Sequence, residues 1–529
     1  MRDHLIIYVN GRRHEVRGRR AFQSLSDFLR YDLGLIGTKV VCAEGDCGSC
    51  TVFVGRPEGD KIAYRTVTSC IQFLYQLDCT HIITIEGLKY DGQLNPVQEA
   101  MVKCQGSQCG FCTPGIVVSM CAMFEKKREV AASDVSAALV GNLCRCTGYD
   151  SIVKSGLTVE MESLRKLDDL YSPGPIVSDL MKSEGEPVSI SSEVGREDAS
   201  DSATALAARE SLASSREKVF FKPATIDEAV HFRAENPDCM IISGGTDVGV
   251  QMNKCLRDPG SILSLAGMRE LRGIYTGDGT IVVGSGTTIA ELEDFTREVF
   301  PEFSRLLYYF GSPPIKNAAT VGGNIGNGSP IADTLPALHV LDAEIQLTGI
   351  AGTRHVHIHD YYTGYKQTVQ KPDELIAAVI LPLPRVGETL KLYKISRRKD
   401  LDISAFTAAI SMRTRSGAVD NISIVYGGVG PNILRLRKTE EFLRGQAFTL
   451  SNMQQAGKIA REEIRPISDV RGSADYRLQL GENILTKFFL DVSGAGSENG
   501  NGWNDGNRNG NGNGHSHDPA LSGLSEEVH

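Results

Sequence analysis

Residues 4–9 (HLIIYV) read as a strand, Asn10-Gly11 as a tight turn and residues 13–17 as the returning strand of a hairpin. Strand-like runs recur at 51–54, 62–68 and 81–85, with one helix near 21–33, and together they predict a small α+β unit closing near residue 88. From 94 to 160 the period becomes helical, with Asn95-Pro96, Thr113-Pro114 and Ser133-Asp134 each placing N-cap or N1 chemistry at a helix start. Residues 174–216 are rich in Ser, Glu, Ala and Asp and poor in aromatics, the composition of a flexible linker. A longer α/β stretch with Gly-rich turns begins at 218, and Leu381 to Pro384 (LPLP) marks its end. Residues 388–492 predict a compact α+β unit: strands near 391–396, 405–413 and 420–427, then helices near 438–446, 450–463 and 473–491. The Gly/Asn-rich tail 493–529 reads as disordered, and His515 and His517 within it as solvated.

Length and charge narrow the classes. At about 150 residues per domain, 529 residues suggest three or four domains. A net charge of −9 argues against a protein built to grip nucleic acid or anionic lipid. No run approaches the ~20 apolar residues of a membrane span. The apolar run at the N-terminus is too short for a signal peptide. The expected location is therefore the cytoplasm, with no membrane and no nucleic-acid partner.

Cysteine changes the picture most. Of 13 Cys, eleven fall between Cys42 and Cys146. An odd number in a long chain argues against a disulfide scaffold, and clustered thiols in a reducing compartment point to metal or redox chemistry. Cys42, Cys47 and Cys50 form C-x4-C-x2-C, with Cys70 closing the set from a second segment. That is the plant-type spacing for one 2Fe–2S cluster, and Gly45 and Gly48 allow three thiolates to come from one tight loop. Zinc, the alternative, favours paired C-x2-C knuckles. A second set, Cys109-x2-Cys112 and Cys144-x-Cys146, lies beside helix termini and suits either zinc or a second cluster on spacing alone. The remaining Cys79, Cys104, Cys121, Cys239 and Cys255 are expected to behave as small hydrophobes.

The stretches GTKVVCAEGDCGSCTV, TSC at 68–70, QCGFCTPG and GNLCRCTGY together resemble the iron–sulfur half of the xanthine dehydrogenase and aldehyde oxidase family of molybdenum hydroxylases. The resemblance implies a β-grasp 2Fe–2S ferredoxin domain (1–90) followed by an all-α four-helix domain (91–165) carrying the second 2Fe–2S cluster. It also implies that Gln108 contacts the molybdopterin cofactor; by itself a glutamine there would read as a capping or surface amide.

Two further Gly-rich loops lack the G-x-G-x-x-G fingerprint. Ile241 to Val248 follows a strand, and Thr320 to Asp333 holds a dense run of Gly and Asn; both could bring backbone close to a phosphate, or be ordinary surface turns. In this order, after two iron–sulfur units, they resemble the FAD domain of the same family, which is built of two α/β subdomains and is not a Rossmann fold. The resemblance then implies a flexible linker at 166–217, an FAD-binding domain at 218–385, an α+β C-terminal flavoprotein subdomain at 386–492 and a disordered tail at 493–529, a multidomain α+β chain as a whole. Carried over by position, the flavin contacts are Ile241, Ile242, Ser243, Gly244, Gly245, Thr246, Asp247, Val248, Phe310, Thr320, Val321, Gly322, Gly323, Asn324, Asp333, Ile376 and Lys394. The 311–314 stretch, Gly-Ser-Pro-Pro, departs from the more polar sequence of some members. His355, His357 and His359 alternate and are expected on one face of a solvent-facing strand, without an accompanying carboxylate.

Single-chain members continue into a molybdenum-binding domain and this chain does not. The resemblance therefore implies the electron-transfer subunit of a split enzyme, as in the bacterial-type xanthine dehydrogenases. A large molybdopterin-binding partner would hydroxylate a purine such as hypoxanthine or xanthine. Electrons would pass through the two clusters to FAD and on to NAD+, in a heterodimer or a dimer of heterodimers. No residue of this chain would act as general acid or base. The rival readings are the same role in an aldehyde or N-heterocycle hydroxylase, and a stand-alone iron–sulfur flavoprotein reductase of NADH.

Overall fold

The computed structural model describes residues 1–192 and 217–494. The expected disorder of the tail falls almost wholly outside these residues.

Five strands form the first sheet: β1 (His4–Val9), β2 (Arg12–Arg17), β3 (Thr51–Glu58), β4 (Lys61–Thr68) and β5 (Thr80–Ile83). Their order is β2-β1-β5-β3-β4, with β1 and β5 parallel and the other pairs antiparallel, the β-grasp arrangement. Asn10 and Gly11 both take positive φ, as a two-residue hairpin turn with the twist of its strands requires. The helix expected near 21–33 is instead three short helical pieces between Gly18 and Asp32. Ser24 breaks the run by accepting the Asp27 N–H as an N-cap.

Four helices follow: Pro96–Lys103, Thr113–Lys126, Ala132–Ala138 and Asp150–Leu157. Asn95 and Gln98 form a reciprocal capping box on the first. Ile116, Val117, Met120 and Phe124 bury one face of the second against Phe53 and Ile83 of the ferredoxin sheet.

The expected linker needs correction in its first part. Residues Pro173–Glu184 form a helix and β6 (Val188–Ser191) a strand, while 193–216 lie outside the described residues. Ile176, Val177 and Leu180 recur on one helical face and pack on Ile6 and Ile62, and Asp179 accepts hydrogen bonds from Tyr8 and Arg13. This local periodicity outweighs a disorder-like composition.

β6 pairs with β7 (Val219–Lys222) and so belongs to the flavin half, in a sheet completed by β8 (Met240–Ile242) and β9 (Ser261–Ser264) in the order β6-β7-β9-β8. Its other edge meets Arg2, which exchanges backbone hydrogen bonds with Pro187 and Ser189. A second sheet contains β10 (Ile274–Gly277), β11 (Thr280–Gly284), β12 (Glu344–Gly349) and β13 (Gly352–His357). After a small ladder of β14 (Tyr362–Gly364) and β15 (Gln367–Thr368), β16 (Leu375–Pro382) inserts between β11 and β12. The last sheet is β17 (Glu388–Ile395), β18 (Phe406–Arg415), β19 (Ala418–Gly427) and β20 (Leu434–Arg435), against helices Leu450–Glu463 and Ala474–Ser493.

The ferredoxin sheet and the first flavin sheet share one hydrophobic core. Leu5, Ile7, Val52, Tyr75 and Ile82 are continuous with Val188, Ile190, Phe220, Ile242 and Ile262. Tyr75 lies between Phe73 (5.5 Å) and Phe220 (5.6 Å). Below this core Asp78, 1% exposed, accepts from Arg2 (3.0 and 2.8 Å), from Lys222 (2.7 Å) and from the Ile6 N–H (3.0 Å).

The three alternating histidines do not share a strand. β13 ends at His357; His359 sits on a helical turn, and its ring, 13% exposed, meets the Asp342 carboxylate at 3.1 Å. A carboxylate does accompany the exposed pair: Glu344, opposite His357, lies 3.7–3.8 Å from His355 and His357. Of the spare cysteines, Cys79, Cys121 and Cys239 are buried, Cys104 is half-buried and Cys255 is exposed. No helix among the described residues is long and apolar enough to cross a membrane.

Candidate electron-transfer sites

The first cysteine set is built by the loop between the short helices and β3, with Cys70 supplied just after β4. Ala43, Gly45 and Gly48 all take positive φ, which winds the loop so that the Glu44 and Cys47 N–H groups each point at the Cys42 sulfur at 3.4 Å. Cys47, Cys50 and Cys70 are buried and Cys42 is half-buried. The thiols interact as a chain, Cys47 with Cys42, Cys42 with Cys70, and Cys70 with Cys50. Hydrogen bonds from Cys47 and Cys70 favour the Cys42 thiolate, and the same contacts push the Cys47 and Cys70 thiols up. Four thiols so close cannot all ionise without a compensating cation.

The second set forms two pairs across two loops, Cys109 with Cys146 and Cys112 with Cys144. Cys112 is the N-cap residue of the Thr113–Lys126 helix; burial and the neighbouring Cys144 push its thiol up to about 12. Tyr149, at φ 73, folds the other loop back, and its hydroxyl accepts the Cys144 N–H (2.8 Å) and donates to the Asn142 carbonyl (3.1 Å). Cys109 and Cys146 are exposed, as is Phe111 between the first two thiols. Gln108 lies on the same exposed loop.

Among the described residues no three such side chains are arranged to hold a single metal ion. Four thiols gathered in one place, as a chain in the first set and as two pairs in the second, suit a binuclear centre in which each iron takes two thiolates. The donor chemistry, four thiols per set with backbone amides turned on the sulfurs, fits a 2Fe–2S cluster in the first loop and its counterpart in the second.

The two sets abut. The Leu143 N–H donates to the Cys47 carbonyl (2.9 Å), and Asn142, itself held by Ser119, donates to the Gly48 carbonyl (3.1 Å). No side chain separates the loops: a Cβ on Gly48 would stand 2.1 Å from the Gly141 oxygen, and one on Gly115 would stand 2.0 Å from the Gly48 oxygen.

The two Gly-rich loops of the flavin half also meet. A Cβ on Gly244 would stand 2.0 Å from the Ala318 oxygen. They present different faces. At the Thr246–Asn253 helix Gly245, at φ +70, is the N-cap, and the first intrahelical bond is from the Gly249 N–H to the Gly245 carbonyl (2.7 Å). The amides before it lie in the first turn, where an α-helix leaves its donors open. In the Val321–Asn327 helix the first four amides are used within the chain, by Thr287, Ser285, the Thr320 hydroxyl and the Thr320 carbonyl. What it offers is an uncovered face: beyond Gly323 lies only the Thr320 hydroxyl, and beyond Gly326 only Ile376 at 3.7 Å. Ile376 thus borders this face. Asn324 is tied to Thr334, and the adjacent Asp333 forms a buried pair with Lys394 (2.7 Å) and accepts from Ser404 (2.5 Å). Phe310 packs at the edge of the core that holds Ile325 and Ile376. The residues expected to contact flavin thus fall in two groups, 241–248 against 318–320, and 324, 333 and 394 together. The 311–314 turn faces away, with Ser312 against Gly141 of the second iron–sulfur loop.

The sequence reading missed three residues that join the halves. Gln72 and Gln76 both donate to the Gly244 carbonyl (3.2 and 3.1 Å). Asn253 donates to the carbonyls of Ala43 (2.9 Å) and Cys70 (2.8 Å). The signal was two glutamines, four apart, inside the otherwise apolar run Ile71–Leu77, since an amide buried in such a run needs a partner.

Comparison with known proteins agrees with this layout. Residues 7–74 match a "2Fe-2S iron-sulfur cluster binding domain" and 84–156 a "[2Fe-2S] binding domain". Residues 213–384 match an "FAD binding domain in molybdopterin dehydrogenase", and 391–492 a "CO dehydrogenase flavoprotein C-terminal domain". A solved carbon monoxide dehydrogenase from Hydrogenophaga pseudoflava aligns over 51% of this chain and 94% of its own, at 26% identity and a TM-score of 0.49. Xanthine dehydrogenases 1 and 2 of Arabidopsis thaliana are 31% and 32% identical over 92% of this chain. The chain spans 40% of the length of these two relatives. It belongs to the molybdenum hydroxylase family, whose two 2Fe–2S domains and FAD-binding domain it carries.

Proposed function

We propose that the chain is the electron-transfer subunit of a xanthine dehydrogenase-type hydroxylase. Its units would be those expected, iron–sulfur at 1–90 and 91–165 and flavin at 218–385 and 386–492. Cys42, Cys47, Cys50 and Cys70 would hold one cluster and Cys109, Cys112, Cys144 and Cys146 the other. The chain's residues would hold these groups in line and take no part in proton transfer to substrate. When bound, the clusters and FAD supply one-electron relay and hydride-equivalent delivery to NAD+.

The observation that carries this reading is the unbroken contact from one site to the next. The exposed Cys109–Cys146 pair, beside Gln108 and Phe111, is where a large cytoplasmic molybdopterin-binding partner would dock, as a heterodimer or a dimer of heterodimers. Leu143 and Gly48 join that set to the first. Asn253 joins the first set to the helix that opens at Gly244 and Gly245.

The test is to isolate the chain from its native cells. It should copurify with a large molybdopterin-containing chain and carry equimolar iron and acid-labile sulfide, with two clusters for each flavin. Anaerobic hypoxanthine or xanthine should bleach the flavin, and NAD+ should restore its colour. A complex that oxidises only aldehydes or other N-heterocycles would overturn the substrate, and a chain active alone with NADH would overturn the partner.

The glycines provide a second check. Gly323→Val would fill the open face of its helix, so flavin absorbance should be lost while both clusters persist. Gly244→Val is a poor probe, because its side chain would strike the Ala318 backbone and disturb packing first.

A further inference from the structure

We propose that Gln72 and Gln76 of the ferredoxin domain are positioning residues of the flavin site, so that FAD and the first cluster stabilise one another. The proposal rests on the reading of residues 241–248 as the flavin-binding turn.

The segment 70–76 starts at a cluster thiol and runs alongside the Thr246–Asn253 helix, touching it at three levels. Asn253 donates to the Cys70 carbonyl at the far end. Midway, Gly249 lies so close to the Ile71 carbonyl that a Cβ would stand 2.3 Å from its oxygen. At the near end the Gly244 carbonyl accepts from both Gln72 and Gln76. These contacts span about 12 Å, the length of an eight-residue helix. The segment is itself held, because Gln76 Oε1 accepts the Phe73 N–H (3.0 Å) and the Gln76 carbonyl accepts from Arg56 (2.8 Å).

Two buried amides on one carbonyl fix a peptide plane. In a trans peptide the carbonyl and the following N–H point in opposite directions. Holding the Gly244 oxygen toward the ferredoxin domain therefore turns the Gly245 N–H away from it. With Gly245 at φ +70, the helix then begins with its first-turn donors beyond that turn. Such a turn is an anion cradle for a pyrophosphate. The other Gly-rich loop cannot replace it, since its first-turn amides already have acceptors in the chain. The donors that grip the dinucleotide would thus be set by side chains six residues or fewer beyond a cluster thiol. By linkage, whatever orders segment 70–76 aids FAD binding, and FAD protects the first cluster to the same degree.

The test uses the full chain with both clusters loaded and FAD reversibly removed. FAD is titrated by flavin fluorescence. Release of each cluster to an iron chelator is followed by its own EPR signal, with and without FAD. In the unaltered chain FAD should slow loss of the first cluster and leave the second unaffected. Gln76→Glu sets a carboxylate oxygen against the Gly244 carbonyl and should weaken FAD binding about tenfold or more. It should also abolish the protection, while the second cluster's signal, unchanged, reports a folded chain. Asn253→Ala, at the exposed far end, should lessen the protection with FAD still bound. If Gln76→Glu does not accumulate, Gln72→Met, which removes one donor at similar volume, is read in the same way. Wild-type FAD affinity in the glutamine variant, or a first cluster lost equally fast with and without FAD in the unaltered chain, overturns the proposal. A natural chain that takes up no FAD fails the flavin reading itself and the proposal with it, before any variant is made.

Discussion

Reduction of the flavin by electrons from the molybdenum partner is expected to vanish when Cys112 is replaced by Ser, while its reduction by NADH survives. The second thiol set lies at the exposed face and the first lies between it and the 241–248 turn. On the proposed reading, substrate electrons would have to cross the 109–146 set, and NADH electrons would enter at the other end. Substitution at Cys112 would remove one of the four proposed ligands, and a serine hydroxyl stays protonated where a thiolate is needed. Cys112 makes no side-chain capping bond at the start of the Thr113–Lys126 helix, so a serine of similar size removes none there. The measurement is anaerobic stopped-flow bleaching of the flavin in the two-chain complex, with purine and NADH as separate reductants, after flavin content has been matched. Purine-driven bleaching at the normal rate would falsify the serial order of the two clusters.

The largest stability effect is expected at Asp78. Removing it as Asp78→Ala leaves the buried Lys222 without a counter-charge and Arg2 with only the half-exposed Glu186, and should cost about 3–5 kcal/mol. Burial alone would raise the Asp78 carboxyl, but the charges of Lys222 and Arg2 and the hydrogen bonds they donate hold it far below its ordinary 3.8. A depressed folded-state value means that the stabilisation is complete above the unfolded-state value and fades as pH falls through the folded-state value. The natural chain should therefore lose this contribution only in strong acid. Asp78→Ala should lack it at every pH above that. Thermal melting monitored at the flavin and at the clusters checks both points. Because Lys222 opens the flavin half and Arg2 precedes β1, both signals should fall together. Adding Lys222→Met should recover part of the loss, since one of the stranded charges is then gone.

What could be read in advance follows from range along the chain. The gathering of the thiols was legible because it is local: three cysteines within nine residues, with glycines where the loop must wind. The strands of the β-grasp and of the C-terminal unit were legible because alternation and turn residues are local too. The Pro173–Glu184 helix was hidden under a linker-like composition, since its face is needed only once Ile6 and Ile62 are beside it. His359 was misplaced because a strand's two-residue period does not announce where the strand ends. The joining residues Gln72, Gln76 and Asn253 could not be placed at all: their acceptors lie at least 168 residues away. Pattern analysis of one sequence carries no information on such pairs.

The division between iron–sulfur and flavin halves is a division of the chain and not of the solid body. β6 comes before the 193–216 segment yet lies in the flavin sheet, with Arg2 on its other edge, and the apolar core runs through the junction. Two halves joined in this way cannot swing about their connecting segment, however long it is. On the proposed reading, the gap an electron must tunnel between the first cluster and the flavin would then be a constant of the fold, and turnover would not be slowed by waiting for the donor domain to find its acceptor.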